Sequence, residues 1–176
     1  MGEDFRAAAR THPKPSAQGA LGSFAVVKWT LSHGNEVSVT ASPDTGKIVF
    51  VESDWGDSAA DAATEIPGLT FGKTNLSDIR GKFQSNGFGF KDNAVKLIGP
   101  DVVSFNCYEI KGSDNVVVVF VTVLPVASIP TVSGSPSPDV GRGRLVSVIL
   151  AKLDYLKSIW GEDRLFDPTY QPVDWN

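Results

Sequence analysis

The run NVVVVFVTVL, Asn115 to Leu124, leaves this chain the fewest choices. Six of its ten residues are valine. Their branched Cβ atoms restrict χ1 and favour extended backbone. Successive residues of a strand point to opposite sides, and here both sides are apolar. Such a strand is predicted to be central and covered on both faces. No run of 18 apolar residues occurs anywhere in the chain, so no membrane span is expected.

Other strands are predicted around it. VVSFNCYEI (102–110) precedes it, joined by KGSD, and RLVSVILAK (144–152) follows. Upstream, SFAVVKWTLS alternates Ala25, Val27, Trp29 and Leu31 with more polar neighbours. HGN at 33–35 turns the chain, EVSVTAS continues, PDTGK at 43–47 turns it again, and KIVFVESDW closes a three-stranded meander. A helix is expected at 74–83, with Thr74 as its N-cap, Asp78 in its first turn and Leu76, Ile79 and Phe83 as an apolar stripe. SNG at 85–87 ends it, with Asn86 or Gly87 left-handed. Asp154 is expected to cap a second short helix, YLKSIWG, stopped at Gly161, before an aromatic, proline-rich tail that packs over the sheet.

The order β-β-β-α-β-β-β-α has no long crossover helices, so the sheet should be antiparallel. The expected fold is α+β, an antiparallel sheet of about six strands with one or two short helices packed on it. Residues 1–22, polar and alanine-rich, are expected to be a flexible lead-in, with one or two helical turns between Asp4 and Arg10, to a single α+β domain over 23–176. The segment Pro125 to Gly143, rich in proline and serine, is expected to be mobile or functional.

Charge and composition remove several function classes. Sixteen basic and 20 acidic residues are intermixed, with a net charge of −4. This argues against nucleic acid as a partner and against a polybasic membrane patch. The single cysteine, Cys107, permits no intrachain disulfide, and its strand context predicts a buried, inert thiol. His12 and His33 have no second ligand at metal-binding spacing. Asp54, Asp57 and Asp61 lack the spacing of a calcium loop. There is no nucleophile elbow and no phosphate-binding fingerprint, so neither a metal nor a cofactor is expected.

The residues with the best claim to touch a ligand are Trp55 beside Asp54, suited to stacking on a sugar ring, and the pair Arg142 and Arg144 in GRGR, suited to an anion. The stretch FGKTNLSDIRGKFQSNGF (71–88) reads as a structural joint, carried by Gly72, Thr74, Ile79, Arg80, Phe83 and Gly87, with Arg80 reaching Asp78 or another nearby carboxylate.

Through Gly72, Thr74, Ile79, Phe83 and Gly87 that stretch resembles a helical signature of small bacterial envelope domains, the β-lactamase-inhibitor-protein-like and small outer-membrane lipoprotein group. The resemblance implies a helix packed on an antiparallel sheet and a bacterial envelope setting. It transfers no functional residue, and the long meander ahead of the helix departs from the group's usual order. The leading expectation is therefore a non-enzymatic exported domain that binds a protein or a small ligand. It would be periplasmic or secreted, its leader lying outside this chain, with the cytoplasm as the alternative. The rival expectation is a small hydrolase or sugar-acting enzyme using carboxylates such as Asp54, Asp57 or Glu109.

Overall fold

The computed structural model describes residues 1–11, 14–32, 34–56, 63–64, 66–129 and 140–175. Along the chain run α1 (Phe5–Thr11), β1 (Ala17–Leu21), β2 (Phe24–Thr30), β3 (Glu36–Ala41), β4 (Ile48–Asp54) and α2 (Leu76–Phe83). Then come β5 (Phe88–Phe90), β6 (Val95–Ile98), β7 (Asp101–Glu109), β8 (Val116–Pro125), β9 (Arg144–Lys152), α3 (Leu153–Trp160) and β10 (Arg164–Phe166). Among the described residues no helix is long and apolar enough to cross a membrane.

The strands form one antiparallel sheet in the order β1-β2-β3-β4-β9-β8-β7-β5-β10, with β6 pairing the same edge of β7 as β5 does. The expectation of an α+β fold with about six strands and one or two helices is corrected. The described chain is mostly β, ten strands with three short helices. The additional strands are β1, β5, β6 and β10, each of three to five residues. Strands this short carry too few alternations to show a period, and β1 (AQGAL) is exposed throughout, so no apolar stripe marks it. It pairs with β2 along its length, within the segment expected to be a flexible lead-in.

Hydrophobic alternation explains the layers. On one face Val27, Trp29, Val39 and Ile48 cluster with Met1 and Phe5 of the amino-terminal segment. Next to them on that face, across the Val51–Leu150 pairing, lie Tyr108, Val118, Phe120, Leu145 and Val148, covered by Ile79 of α2 and by Leu69 and Phe71. On the opposite face Val103, Cys107, Val117, Val119 and Ile149 pack against Leu156 of α3 and against Phe88 and Phe90. β8 feeds both layers from between β7 and β9, as a strand apolar on both sides must. Cys107 is fully buried there, and burial raises its thiol pKa far above the ordinary value.

Two β-bulges correct the phase. Val121 pairs with Ser147 but Thr122 pairs with Leu145, which leaves Val146 as an extra residue in β9. Leu145 thereby faces the same side as Val148 and joins the α2 layer. Val49 plays the same part in β4, since Thr40 pairs with Phe50 and Ala41 with Ile48.

The 71–88 segment forms the helix-to-sheet junction. α2 is capped by Asn75 rather than by the expected Thr74. Asn75 Oδ1 accepts from the Asp78 N–H (2.9 Å), and Asp78 Oδ2 accepts from the Asn75 N–H (3.0 Å). The Thr74 hydroxyl is already used one turn earlier, where it accepts from the Thr70 N–H (2.8 Å). At the other end Gln84, not Asn86, takes the left-handed cap at φ 50°. Gly87 is left-handed at φ 71°, and a Cβ there would lie 2.7 Å from the Cys107 carbonyl oxygen. Ile79 is completely buried, and the Phe83 ring stacks obliquely on Tyr108 (5.1 Å) and Phe120 (5.5 Å).

Candidate functional site

The first four strands carry different chemistry on their two sides. While Val27, Trp29, Val37, Val39 and Val51 face the α1 layer, Lys28, Ser38, Thr40, Phe50 and Glu52 face the other way. There the sheet and α3 do not close on each other. A groove of about 550 Å³ lies between them. Its walls are apolar: Val26, Phe105, Ile149, Ile159, Trp160 and the small residues of β1. Tyr155 of α3 holds one end, its ring edge-on to Phe24 (4.9 Å) and Phe50 (5.6 Å).

Glu52 projects into this groove. Its Oε1 accepts from the Ser147 hydroxyl (3.3 Å) and its Oε2 from the Ser38 hydroxyl (3.4 Å), both long hydrogen bonds. Burial, reinforced by the negative Asp54 nearby, pushes the Glu52 carboxyl up to about 7, while the serine hydroxyls and Lys28 pull the other way. Asp54, half-buried, is also raised, chiefly by burial and further by Glu36. Lys28 does not neutralise either acid directly, because its ammonium is paired with Glu36. The site is thus an apolar trough with one weakly supported carboxylate in its floor.

The sequence-predicted site residues fall in several places. Asp54 lies beside Glu52, on the groove side of the sheet. Trp55, the next residue, turns to the opposite face, because adjacent residues of an extended chain project oppositely. Its ring packs on Gly72, where φ is 68° and any Cβ would collide with it. The expected Asp54–Trp55 stacking pair is therefore not formed. Trp55 does line a separate cavity of about 420 Å³ together with Arg142 and Arg144.

Glu109 is also remote from Asp54. It lies three strands away, roughly 14 Å across the sheet at about 4.8 Å per strand. It is engaged by Arg164 (2.7 Å) and by the Tyr170 hydroxyl (3.0 Å), which tie the carboxy-terminal tail to β7. Asp57, Asp61, His12, His33 and residues 130–139 of the proline-rich segment lie outside the described residues. Among the described residues no group of three or more His, Cys, Asp or Glu could hold a metal ion.

Glu52, Lys28, Ser38 and Tyr155 escaped the sequence reading. The signal was present in the meander, where Lys28, Ser38 and Glu52 each follow a valine (Val27, Val37, Val51) that faces the other way. A run of polar residues at period two reads as solvent-facing. Only the placement of α3 and β1 against that face turns it into a groove.

Compared with known families, curated proteins and solved structures, the chain matches none of them.

Proposed function

We propose that this protein is a binding domain that takes a small amphipathic molecule into the groove between β1–β4 and α3. The observation that carries the reading is the groove itself, about 550 Å³ with apolar walls and a single orienting carboxylate in its floor. Sites for small organic ligands have this size and this composition. Charge complementarity specifies the occupant. Lys28 is paired with Glu36, whereas Glu52 has only two long serine hydrogen bonds, so the polar end of the ligand is a donor and preferably a cation. The bacterial-envelope setting, periplasmic or secreted, belongs to the same proposal, and the resemblance of residues 71–88 supports it.

Titration with decylamine, decanol and decanoate at pH 8, below their micelle concentrations and followed by the change in tryptophan fluorescence, to which Trp160 in the groove wall contributes, tests this. The expected order is decylamine tightest and decanoate weakest, with Glu52→Gln levelling the series. Absence of binding by all three removes the proposal.

One observation favours a second reading. Glu52 lines the groove and Asp54 is its neighbour on the same face of the sheet; burial raises both, Glu52 to about 7, and a carboxyl held near neutrality suits a general acid. A small hydrolase of this kind would turn over a bound ester or glycoside. It would lose that turnover, with binding retained, in Glu52→Gln. The carboxylate pair would then be Glu52 and Asp54, not Asp54 and Glu109.

A further inference from the structure

α2 borders a second recess, separate from the groove except that Phe105 lines both. It has a volume of about 270 Å³ and opens where β5 and β6 leave a gap along β7. Leu76, Phe88 and Ala94 supply apolar wall, and Asn86, Ser104 and Asn106 supply polar wall. Arg80 reaches into it from α2. The Arg80 Nε atom is buried and has no hydrogen-bond partner. A carboxylate on the same helix, Asp78, is occupied in the capping box at the helix start.

The surrounding groups are committed elsewhere. Asn106 Nδ2 donates to the Asn86 carbonyl (2.7 Å), and Asn106 Oδ1 accepts from the Tyr108 hydroxyl (2.8 Å). Asp167, the carboxylate on the rim, accepts from the Thr169 N–H (2.9 Å), the Thr169 hydroxyl (2.5 Å) and Asn86 Nδ2 (3.1 Å). It attracts Arg80 through space but forms no ion pair with it. A guanidinium in a fixed polar recess, with a buried N–H unpaired, is an unmet demand for an acceptor.

We propose that this recess binds the carboxylate of a small organic acid, with Arg80 as its anchor. A guanidinium presents parallel N–H groups that match a carboxylate. The charge count selects a monoanion. Among the described residues Arg80 is the one cation lining the recess, and Asp167 on the rim repels a second negative charge. The small volume admits a compact acid and excludes a folded peptide segment. Ser104, buried in β7, adds a hydroxyl on the wall.

Benzoate, its neutral isostere benzamide and inorganic phosphate are titrated into the full chain at constant ionic strength, with chemical shifts of the 80–89 and 104–106 amides as the readout. Benzoate is expected to bind and to shift those amides, and benzamide and phosphate to do so at least tenfold more weakly. Arg80→Gln should weaken benzoate roughly ten- to hundred-fold, the value of a hydrogen bond to a charged group. Arg80→Lys, which keeps the charge but loses the fork, should fall between. Equal binding of benzoate and benzamide overturns the proposal, as does unchanged affinity in Arg80→Gln. Tighter binding of phosphate than of benzoate overturns the assignment to carboxylate. Should Arg80→Gln fail to fold, Arg80→Lys and the benzoate–benzamide pair still decide the question.

Discussion

The two faces of this sheet are made by the same strands and end in opposite states. On the α2 face, Ile79, Phe71, Tyr108, Phe120 and Leu145 are all almost completely buried in one cluster. On the α3 face the β7–β9 half is equally dry, around Cys107, Val117, Val119 and Leu156, but the β1–β4 half stands open above Lys28, Ser38 and Glu52. The difference lies in the side chains of three strands. Where both alternating sets are apolar the chain must cover both faces, since exposed apolar area costs about 25 cal/mol per Å². Where one set is polar that demand is weaker, and the structure keeps a groove.

Substitutions in the closed layer should have the largest effect. Phe120→Ala removes a fully buried ring that contacts Phe83 and Tyr108 and should cost about 4 kcal/mol in denaturant unfolding. Phe83→Ala, at the partly exposed rim of the same aromatic set, should cost about 3 kcal/mol. If Phe83→Ala unfolds like the parent protein, α2 is not the lid of that layer.

Gly72→Ala tests the joint from the backbone side. The left-handed conformation and the Trp55 ring oppose a Cβ together, for a loss of about 2–3 kcal/mol in the same measurement. A thermal melt superimposable on that of the parent would mean that Trp55 swings away freely.

The open half should respond in the opposite direction. Glu52 is raised in the folded chain from an ordinary 4.5 to about 7. Between those values the folded state holds a proton that the unfolded state has released. Stability should therefore fall as pH rises from about 4.5 to 7 and level off above. Asp54 acts in the same direction. Glu52→Gln should raise stability at pH 8 by about 2 kcal/mol, allowing for partial exposure, and flatten that slope. A variant with the parent's pH dependence would place the titration elsewhere.

The smallest effect is expected at the rim of the groove. The Lys28–Glu36 pair is more than a third exposed on both sides. Lys28→Ala should change unfolding free energy by about 0.5 kcal/mol or less and lose even that in high salt. A loss several times larger would show that Lys28 supports Glu52 more directly than its pairing with Glu36 implies.

Much of the strand pattern could be read along the chain. The meander, β7, β8 and β9 follow from period-two alternation, and the central place of β8 follows from its being apolar on both faces. The α2 stripe of Leu76 and Ile79 was legible at helical spacing, whereas its cap was not. Thr74 and Asn75 are both good capping residues, and the choice depends on Thr74 being taken by the Thr70 N–H. The short strands β1, β5, β6 and β10 exist because a neighbouring edge is there to pair with, a condition that no local window contains.

The candidate site was less legible still. Asp54 and Trp55 are adjacent in sequence and separated by the thickness of the sheet, whereas Glu52 and Ser147 are 95 residues apart and hydrogen-bonded. Local patterning determined which segments are strands, which of their faces are apolar, and that a buried thiol and an amphipathic helix would be present. The tertiary structure alone decided what the polar face became. The seat of α3 is set by packing against distant strands, and desolvation of Glu52 is a property of that enclosure rather than of the residue.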